Sequence, residues 1–189
     1  MGHHHTDFDP QHLYFVTTTV VERRHLLALP FLARIVVDSL HFMRGEQWIK
    51  IYAYVIMPNH VHLVVKYMES HGPSQVMRDF KKFTSQEIVR ELQRRNEREL
   101  LHQLEAAASS TKKQTYRVWD EGYFDKSIYS EAFLFQKMEY IHNNPLQPHW
   151  SLAATAAEYP YSSARNYLLG DDSVLEIDHY VGLLGGAEA

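Results

Sequence analysis

His60 and His62 are the residues of this sequence whose types and spacing most directly suggest chemistry. One residue separates them in the apolar segment HVHLVVKY, which is typical of a β-strand. Side chains two positions apart on a strand point to the same face, about 7 Å apart, so both imidazoles could bind one cation. The same pattern also fits surface histidines, or buried histidines with ordinary hydrogen-bond partners.

The segment YIHNNP, residues 140–145, contains a second group with chemical potential. If the segment is helical, Tyr140 and Asn144 lie four residues apart and share a face. The tyrosine offers a phenolic oxygen, and the asparagine offers a carbonyl oxygen that can bind a hard cation. The structural alternatives are a tyrosine that packs in the core and an asparagine that simply ends a helix before Pro145.

Positive charge is concentrated in one region, although the formal net charge is −4. Residues 76–117 contain ten Lys or Arg and six Asp or Glu, whereas the last 39 residues contain six acidic groups and a single arginine. Such a band favours a local site for a polyanion, or else a solvated helix face.

Two sets of residues in and after this band are candidates for contacts with nucleic acid. The candidates for phosphate contacts are Arg78, Lys81 and Lys82. The aromatic candidates for stacking on exposed bases, each of which could instead pack in the core, are Trp119, Tyr123 and Phe124.

Composition excludes several classes of protein and of site. With 45% hydrophobic and 22% charged residues, the chain is typical of a globular protein and unlike a disordered or collagen-like one. It has no cysteine, which excludes disulfides, thiolate metal sites and cysteine nucleophiles. Because no stretch approaches the roughly 20 apolar residues of a membrane span and no apolar signal segment stands at the start, we expect a cytoplasmic protein without membrane contact.

The elements that must position these residues follow from hydrophobic periodicity. Strands are predicted at 13–21, 48–57 and 60–67, the last two joined in a hairpin by the turn at Pro58-Asn59. Helices are predicted at 31–44, 74–92 and 131–143, with a short one near 162–169. We expect the second helix to run on past residue 93 into a loop that ends at 115, and a short strand between 116 and 129.

The order strand, helix, strand, strand, helix, strand, helix predicts an α+β fold. Its first six elements match a ferredoxin-like antiparallel sheet with helices on one face, to which a C-terminal helix carrying Tyr140 is added. The chain length favours a single domain over residues 1–169, with a core at about 12–150 and a C-terminal wrap at 151–169. Residues 170–189 are predicted to form an acidic tail.

These segments together resemble a known family. VIMPNHVHLVV (residues 55–65) is similar to the hydrophobic-His-hydrophobic-His-hydrophobic signature of the HUH nucleases. With YIHNNP it resembles the single-tyrosine, IS200-like transposases, and most of all the REP-associated tyrosine transposases. The resemblance extends through RDFKKFTS (78–85), VWDEGYFDKSIYSEAF (118–133) and EYPYSSARNYL (158–168).

The resemblance implies a metal-dependent transposase or strand transferase that acts on single-stranded DNA, often beside a hairpin. His60, His62 and Asn144 would be the metal ligands, with Mg²⁺ or Mn²⁺ as the expected ion, and Tyr140 would be the nucleophile that forms a 5′-phosphotyrosine. The protein would act as a monomer or a homodimer. One departure concerns residues 146–150, LQPHW, where many members carry a basic-Ala-Gly-Leu stretch.

Two other functions remain open from the sequence. One is a domesticated protein that binds DNA hairpins without cutting them. The other is a DNA hydrolase that uses a metal-bound water, with Tyr140 in a structural role.

Overall fold

The computed structural model of the chain describes residues 8–108 and 114–180. In these ranges the strands are β1 (Leu13–Thr19), β2 (Ile49–Met57), β3 (His60–Tyr67) and β4 (Phe124–Ile128). The α-helices are α1 (Pro30–Gly45), α2 (Pro73–Arg94), α3 (Arg98–Ala106), α4 (Glu131–Asn143) and α5 (Ala164–Leu169). Residues 109–113 of the predicted loop and 181–189 of the predicted tail lie outside the described residues.

The four strands form one antiparallel sheet in the order β2-β3-β1-β4. This is the strand order of the ferredoxin-like fold, so the predicted fold class is confirmed. The register places Thr17 opposite His62 and Thr19 opposite His60, which brings the end of β1 next to the histidine pair.

The two faces of the sheet carry different helices. On β3, Val61, Leu63 and Val65 belong to the larger core under α1 and α2. Alternation along the strand turns His60, His62 and Val64 to the other face, where Val64 packs in a smaller core with residues of α4. The predicted helices thus share one face, and the added C-terminal helix covers the opposite one.

Helix α4 is held in a defined rotation by its own sequence. Ser130 caps its N-terminus, since the serine hydroxyl accepts a hydrogen bond from the Phe133 backbone N–H at 3.3 Å. Leu134, Met138 and Ile141 are buried at positions i, i+4 and i+7. This stripe faces the sheet, so residues on its flank, including Tyr140, are turned to the side of the helix.

The structure differs from the sequence prediction at two element ends. Helix α2 does not continue into the loop but ends at Arg94, because Asn96 adopts a left-handed conformation with φ of 59° and the separate helix α3 follows. Strand β1 ends at Thr19 rather than at 21, because a 3₁₀ turn begins at Val21.

The outer edge of β2 is covered by the chain between residues 159 and 178. The backbone N–H of Ile56 donates to Tyr161, the N–H of Ser163 donates to Tyr54, and the N–H of Asp178 donates to Ile51. An edge strand with unpaired backbone groups is a template for unwanted pairing, which this cover prevents. Residues 171–178 of the predicted tail therefore pack on the sheet, and the exact boundary between domain and tail stays a prediction.

No helix in the described ranges is long and apolar enough to cross a membrane.

The carboxylate of Asp178 anchors this cover and gives a stability prediction. It accepts hydrogen bonds from the Ile51 backbone N–H and the Arg44 Nε, both at 3.0 Å, and its side chain is 24% exposed. Asp178→Ala leaves both donors without this acceptor, so the free energy of unfolding should fall by about 1–2 kcal/mol in urea denaturation. Glu176→Ala is the control: its carboxylate, 58% exposed, also binds Arg44, and its loss should cost under about 0.5 kcal/mol. Equal losses for the two variants would contradict the anchoring role.

Candidate functional site

His60 and His62 lie side by side on the face of the sheet that α4 covers. Their ring centroids are 4.5 Å apart, and the ring planes are inclined at 69°. His62 is buried, whereas His60 is partly buried and lines an open cleft. The prediction from strand spacing, that both rings share one face, is confirmed.

The orientation of His60 is fixed by the residue before it. Asn59 donates from Nδ2 to the backbone carbonyl of Arg23 at 3.2 Å, so its Oδ1 faces the imidazole. His60 Nδ1 lies 2.6 Å from that oxygen. Because an amide oxygen can only accept, Nδ1 must carry the proton, and Nε2 keeps a free lone pair. This is the tautomer that a metal ligand requires.

His62 is held by a hydroxyl on one side and an aromatic ring on another. Its Nδ1 is hydrogen-bonded to Thr17 Oγ1 at 2.7 Å, and its ring stacks on Phe15 with centroids 5.3 Å apart. Its other nitrogen, Nε2, lies 3.4 Å from the Tyr140 hydroxyl. The Tyr140 hydroxyl thus contacts the His62 nitrogen that is not bound to Thr17.

Both imidazoles are kept neutral by their surroundings. Burial lowers the pKa of His60 to about 4, assisted by the charge of Arg23. Burial also lowers the pKa of His62 to about 3, assisted by the charges of His60 and Lys137. At neutral pH each ring therefore has an unprotonated nitrogen, the form in which imidazole binds a metal ion.

Tyr140 and Asn144 approach the histidines from α4. The tyrosine side chain remains 45% exposed, so its oxygen is accessible from the cleft. Asn144 is 5% exposed, and its Oδ1 makes no hydrogen bond of ordinary geometry within the described residues, although its side chain lies near enough to His60 to raise that imidazole's pKa against the effect of burial. A buried amide oxygen without a partner is costly, and a ligand that it could bind would remove that cost.

These four side chains line an open cleft of about 590 Å³. The other lining residues are Thr17, Thr19, Arg23, His25, Asn59, Gln147, His149 and Trp150. Three of them come from the LQPHW segment that departs from the family pattern, and the Trp150 ring centroid lies 6.0 Å from that of His60. The departure thus forms one wall of the cleft.

The donor set fits a divalent metal ion. The described residues contain no cluster of three or more His, Asp or Glu that could hold a metal. Two neutral imidazoles and one buried amide oxygen form a smaller set, which leaves coordination positions for phosphate oxygens and water. The hydrogen bonds of the two rings with Asn59 Oδ1 and Thr17 Oγ1 are the kind of outer contact that usually orients metal-binding histidines.

The predicted phosphate contacts lie on α2, in the helix layer on the other face of the sheet from the histidines. They line a second cleft of about 920 Å³ between α2 and residues 114–121. Arg78 and Lys82 are exposed there. Lys81 instead donates to the backbone carbonyls of Asp120 and Gly122, and burial lowers its pKa to about 8. Lys81 therefore fixes the 120–122 turn.

Trp119 is not placed where it could stack on a base. It is 5% exposed, and its indole N–H donates to Thr84 Oγ1 at 2.9 Å beneath α2. Its ring packs near Phe80, with centroids 5.8 Å apart. The prediction of stacking by Trp119 is therefore wrong, whereas Phe124 is 54% exposed and remains available.

Sequence reasoning missed several residues around the site. Phe15 and Thr17 hold His62, yet they look like ordinary strand residues in the sequence. Lys137 could have been found from the sequence, because it lies three residues before Tyr140 and side chains at that spacing share one face of a helix. Asn59 has a bracing role as well as a place in the turn.

Comparison with known proteins agrees with the fold and with a family model that includes His60 and His62 but not Tyr140. The family model described as "Transposase IS200 like" matches residues 10–119. No curated protein matches the chain.

Among solved structures, the REP-associated tyrosine transposase bound to a REP hairpin is similar, with a TM-score of 0.62 and 16% identity over 99% of this chain and 96% of that one. A proposed transposase from Deinococcus radiodurans R1 also matches, with a TM-score of 0.45 and 17% identity over 76% of this chain and 95% of that one. At these identities the first likeness shows the fold.

Replacing both His60 and His62 with alanine should abolish Mn²⁺ binding, because two of the three expected ligands are removed. Titration calorimetry with MnCl₂ alone measures this, and circular dichroism should show the same secondary structure. His25→Ala, an exposed histidine at the mouth of the same cleft, is the matched control and should keep the wild-type affinity. Unchanged Mn²⁺ affinity in the double variant would rule out this metal site.

Proposed function

This chain belongs to the IS200-like transposase family, and we propose that it cleaves and rejoins single-stranded DNA through Tyr140. The observation that carries the proposal is the 3.4 Å contact between the Tyr140 hydroxyl and His62 Nε2, next to His60 and the buried Asn144 amide. A nucleophile, a pair of neutral nitrogen ligands and an oxygen ligand then share one open cleft.

His60, His62 and Asn144 would hold a Mg²⁺ or Mn²⁺ ion. When bound there, the ion would polarise the oxygens of the phosphate under attack and offset the charge that develops on it. A protonated phenol is a weak nucleophile, so this help matters.

In the proposed reaction the Tyr140 oxygen forms a bond to phosphorus, and the bond from phosphorus to the 3′ oxygen breaks. The phenol loses its proton to solvent in the open cleft, and the departing oxygen gains one to become a 3′-hydroxyl. The DNA is left with a 5′-phosphotyrosine, which retains the energy of the broken phosphodiester. A second 3′-hydroxyl can reverse the step on a new end without ATP.

The proposed site is contained in one chain. Helix α4 rests on its own sheet through Leu134, Met138 and Ile141, and its Tyr140 lies against its own His62. A monomer therefore carries every group that the proposed reaction needs.

We further propose that the substrate is single-stranded DNA next to a hairpin, as in the REP-associated subgroup. The motifs around His60 and Tyr140 support this subgroup, and the structurally similar REP-associated transposase was solved on a REP hairpin. The cleft between α2 and residues 114–121 is a candidate for backbone contacts, since Arg78 and Lys82 are exposed along it.

Tyr140→Phe removes the nucleophilic oxygen and keeps the ring, so cleavage and covalent attachment should both fall to background. The measurement uses a DNA hairpin with a single-stranded flank, taken from DNA beside the gene, incubated with Mn²⁺ and run on a denaturing gel. Tyr129→Phe is the control, because Tyr129 is 70% exposed and lies outside the cleft. It should form the wild-type amount of adduct.

Two results would contradict the tyrosine mechanism. Cleavage by Tyr140→Phe without any adduct would favour a hydrolase that uses a metal-bound water. Tight binding of the hairpin by the wild-type protein with no cleavage would favour a DNA-binding protein that has lost its activity.

Arg78→Ala combined with Lys82→Ala should weaken DNA binding at all sequences. Each lost phosphate contact should lower the slope of log affinity against log salt by about 0.7 for a single strand. Fluorescence anisotropy over a salt series measures the slope, and Arg34→Ala, an exposed arginine on α1, should leave it unchanged. Lys81 is left intact because it supports the 120–122 turn. An unchanged slope in the double variant would make this cleft a solvated helix face.

A further inference from the structure

Beside Tyr140, on the side away from His60, two lysines converge on one group of aromatic rings. Lys137 of α4 and Lys126 of β4 have their ammonium nitrogens 5.2 and 4.9 Å from the centre of the Phe133 ring. Lys137 also lies 4.7 Å from the Phe15 ring centre and 5.6 Å from that of Tyr140. Two positive charges are thus held next to the proposed nucleophile.

These charges are not neutralised by the protein within its described part. Among the described residues, the contacts of both lysines are with aromatic rings, and no carboxylate is among the groups that shift the pKa of Lys137. Asp125, the nearest acid along β4, alternates to the other face of the strand and is buried. Burial, with the charge of Lys126, also lowers the pKa of Lys137. Two ammonium groups that face the same ring without a described counter-charge favour the binding of an anion beside them.

Lys137 lies on the same side of the helix as Tyr140 and Asn144. Lys137, Tyr140 and Asn144 are spaced by three and four residues, so they lie along one stripe of the helix. Their Cα atoms are separated along the axis by about 4.5 and 6 Å. One helix stripe therefore presents, in order, a cation, a nucleophile and a metal ligand.

Strands β1, β3 and β4 place further candidate residues next to this helix stripe. The register places Thr17 between His62 on β3 and Phe124 on β4, and Lys126 opposite Phe15. Phe124 is 54% exposed, and its ring meets Phe15 edge-on with centroids 6.3 Å apart. The distance from β3 to β4 is two strand spacings, or about 10 Å.

We infer that Lys126, Lys137 and Phe124 form a subsite for the nucleotide next to the bond that Tyr140 attacks. The two ammonium groups bind its phosphate, and the exposed Phe124 ring stacks on its base. A single strand would then cross the sheet from the histidines towards β4. This inference rests on the proposed function for the position of the attacked bond, but the nucleotide subsite itself can be tested without cleavage.

The first test measures binding in the Tyr140→Phe protein, with EDTA present so that nothing is cleaved. The probe is fluorescein-labelled (dT)₁₂, read by anisotropy. Lys126→Gln combined with Lys137→Gln should weaken binding about tenfold and lower the salt slope by about 0.7, because one phosphate contact is lost. Lys50→Gln, an exposed lysine on β2 at the far end of the sheet, is the matched control and should bind as the parent does.

The second test asks whether the lysines act on one particular phosphate. Single methylphosphonates, which are uncharged, are placed at each position of the same probe. One position should weaken binding to the parent protein and have no further effect on the double lysine variant, since both changes remove the same contact. Effects that add at every position, or a lysine variant with unchanged slope, would overturn the subsite. A lowered melting temperature with normal binding would assign the lysines to packing alone and would also overturn it.

The third test addresses Phe124. With 2-aminopurine placed in turn along the probe, one position should be quenched on binding, and Phe124→Leu should restore its fluorescence while weakening affinity about fivefold or more. No change on Phe124→Leu would remove the base-stacking part. A wild-type protein that passes these binding tests but forms no adduct would keep the subsite and refute the tyrosine mechanism, so the two failures can be told apart.

Discussion

The side chain and backbone of Asn59 form the interaction on which the candidate site depends. Its carbonyl accepts from the Val20 backbone N–H at 2.8 Å, its Nδ2 donates to the Arg23 carbonyl, and its Oδ1 accepts from His60. One residue thus ties the hairpin turn to the end of β1 and sets the tautomer of the first histidine. Glu22 and Arg23 have positive φ of 53° and 54°, and this conformation is tolerated because such contacts hold the turn.

The two faces of the sheet carry different candidate sites. The face under α1 and α2 carries the larger apolar core and, on the outer surface of α2, the basic cleft. The face under α4 carries a smaller core, and the histidines lie at its border with the open cleft, at the start of β3. Burial there is deep enough to keep both imidazoles neutral, yet the cleft stays open to a substrate as large as a DNA strand.

Much of this arrangement could be predicted from local rules, because it depends on local geometry. The period of a strand places His60 and His62 together, and the period of a helix places Tyr140 with Asn144. What could not be predicted concerns residues whose partners are distant in sequence. Trp119 is buried through Thr84, Lys81 is held by the 120–122 turn, and Asp178 reaches Ile51. No short window of sequence contains both members of these pairs.

The exposure of Tyr140 follows from the rotation of α4 rather than from the tyrosine itself. The buried stripe of Leu134, Met138 and Ile141 sets which side of the helix meets the sheet. With that side fixed, Tyr140 has to lie on the flank, half exposed, with its oxygen towards His62. A large aromatic ring in that position forfeits part of its burial energy, and its contact with Phe15 recovers only some of it. A side chain that lies where it stabilises the core poorly, but contacts the neutral imidazole of His62, is consistent with the nucleophilic role that we propose for it.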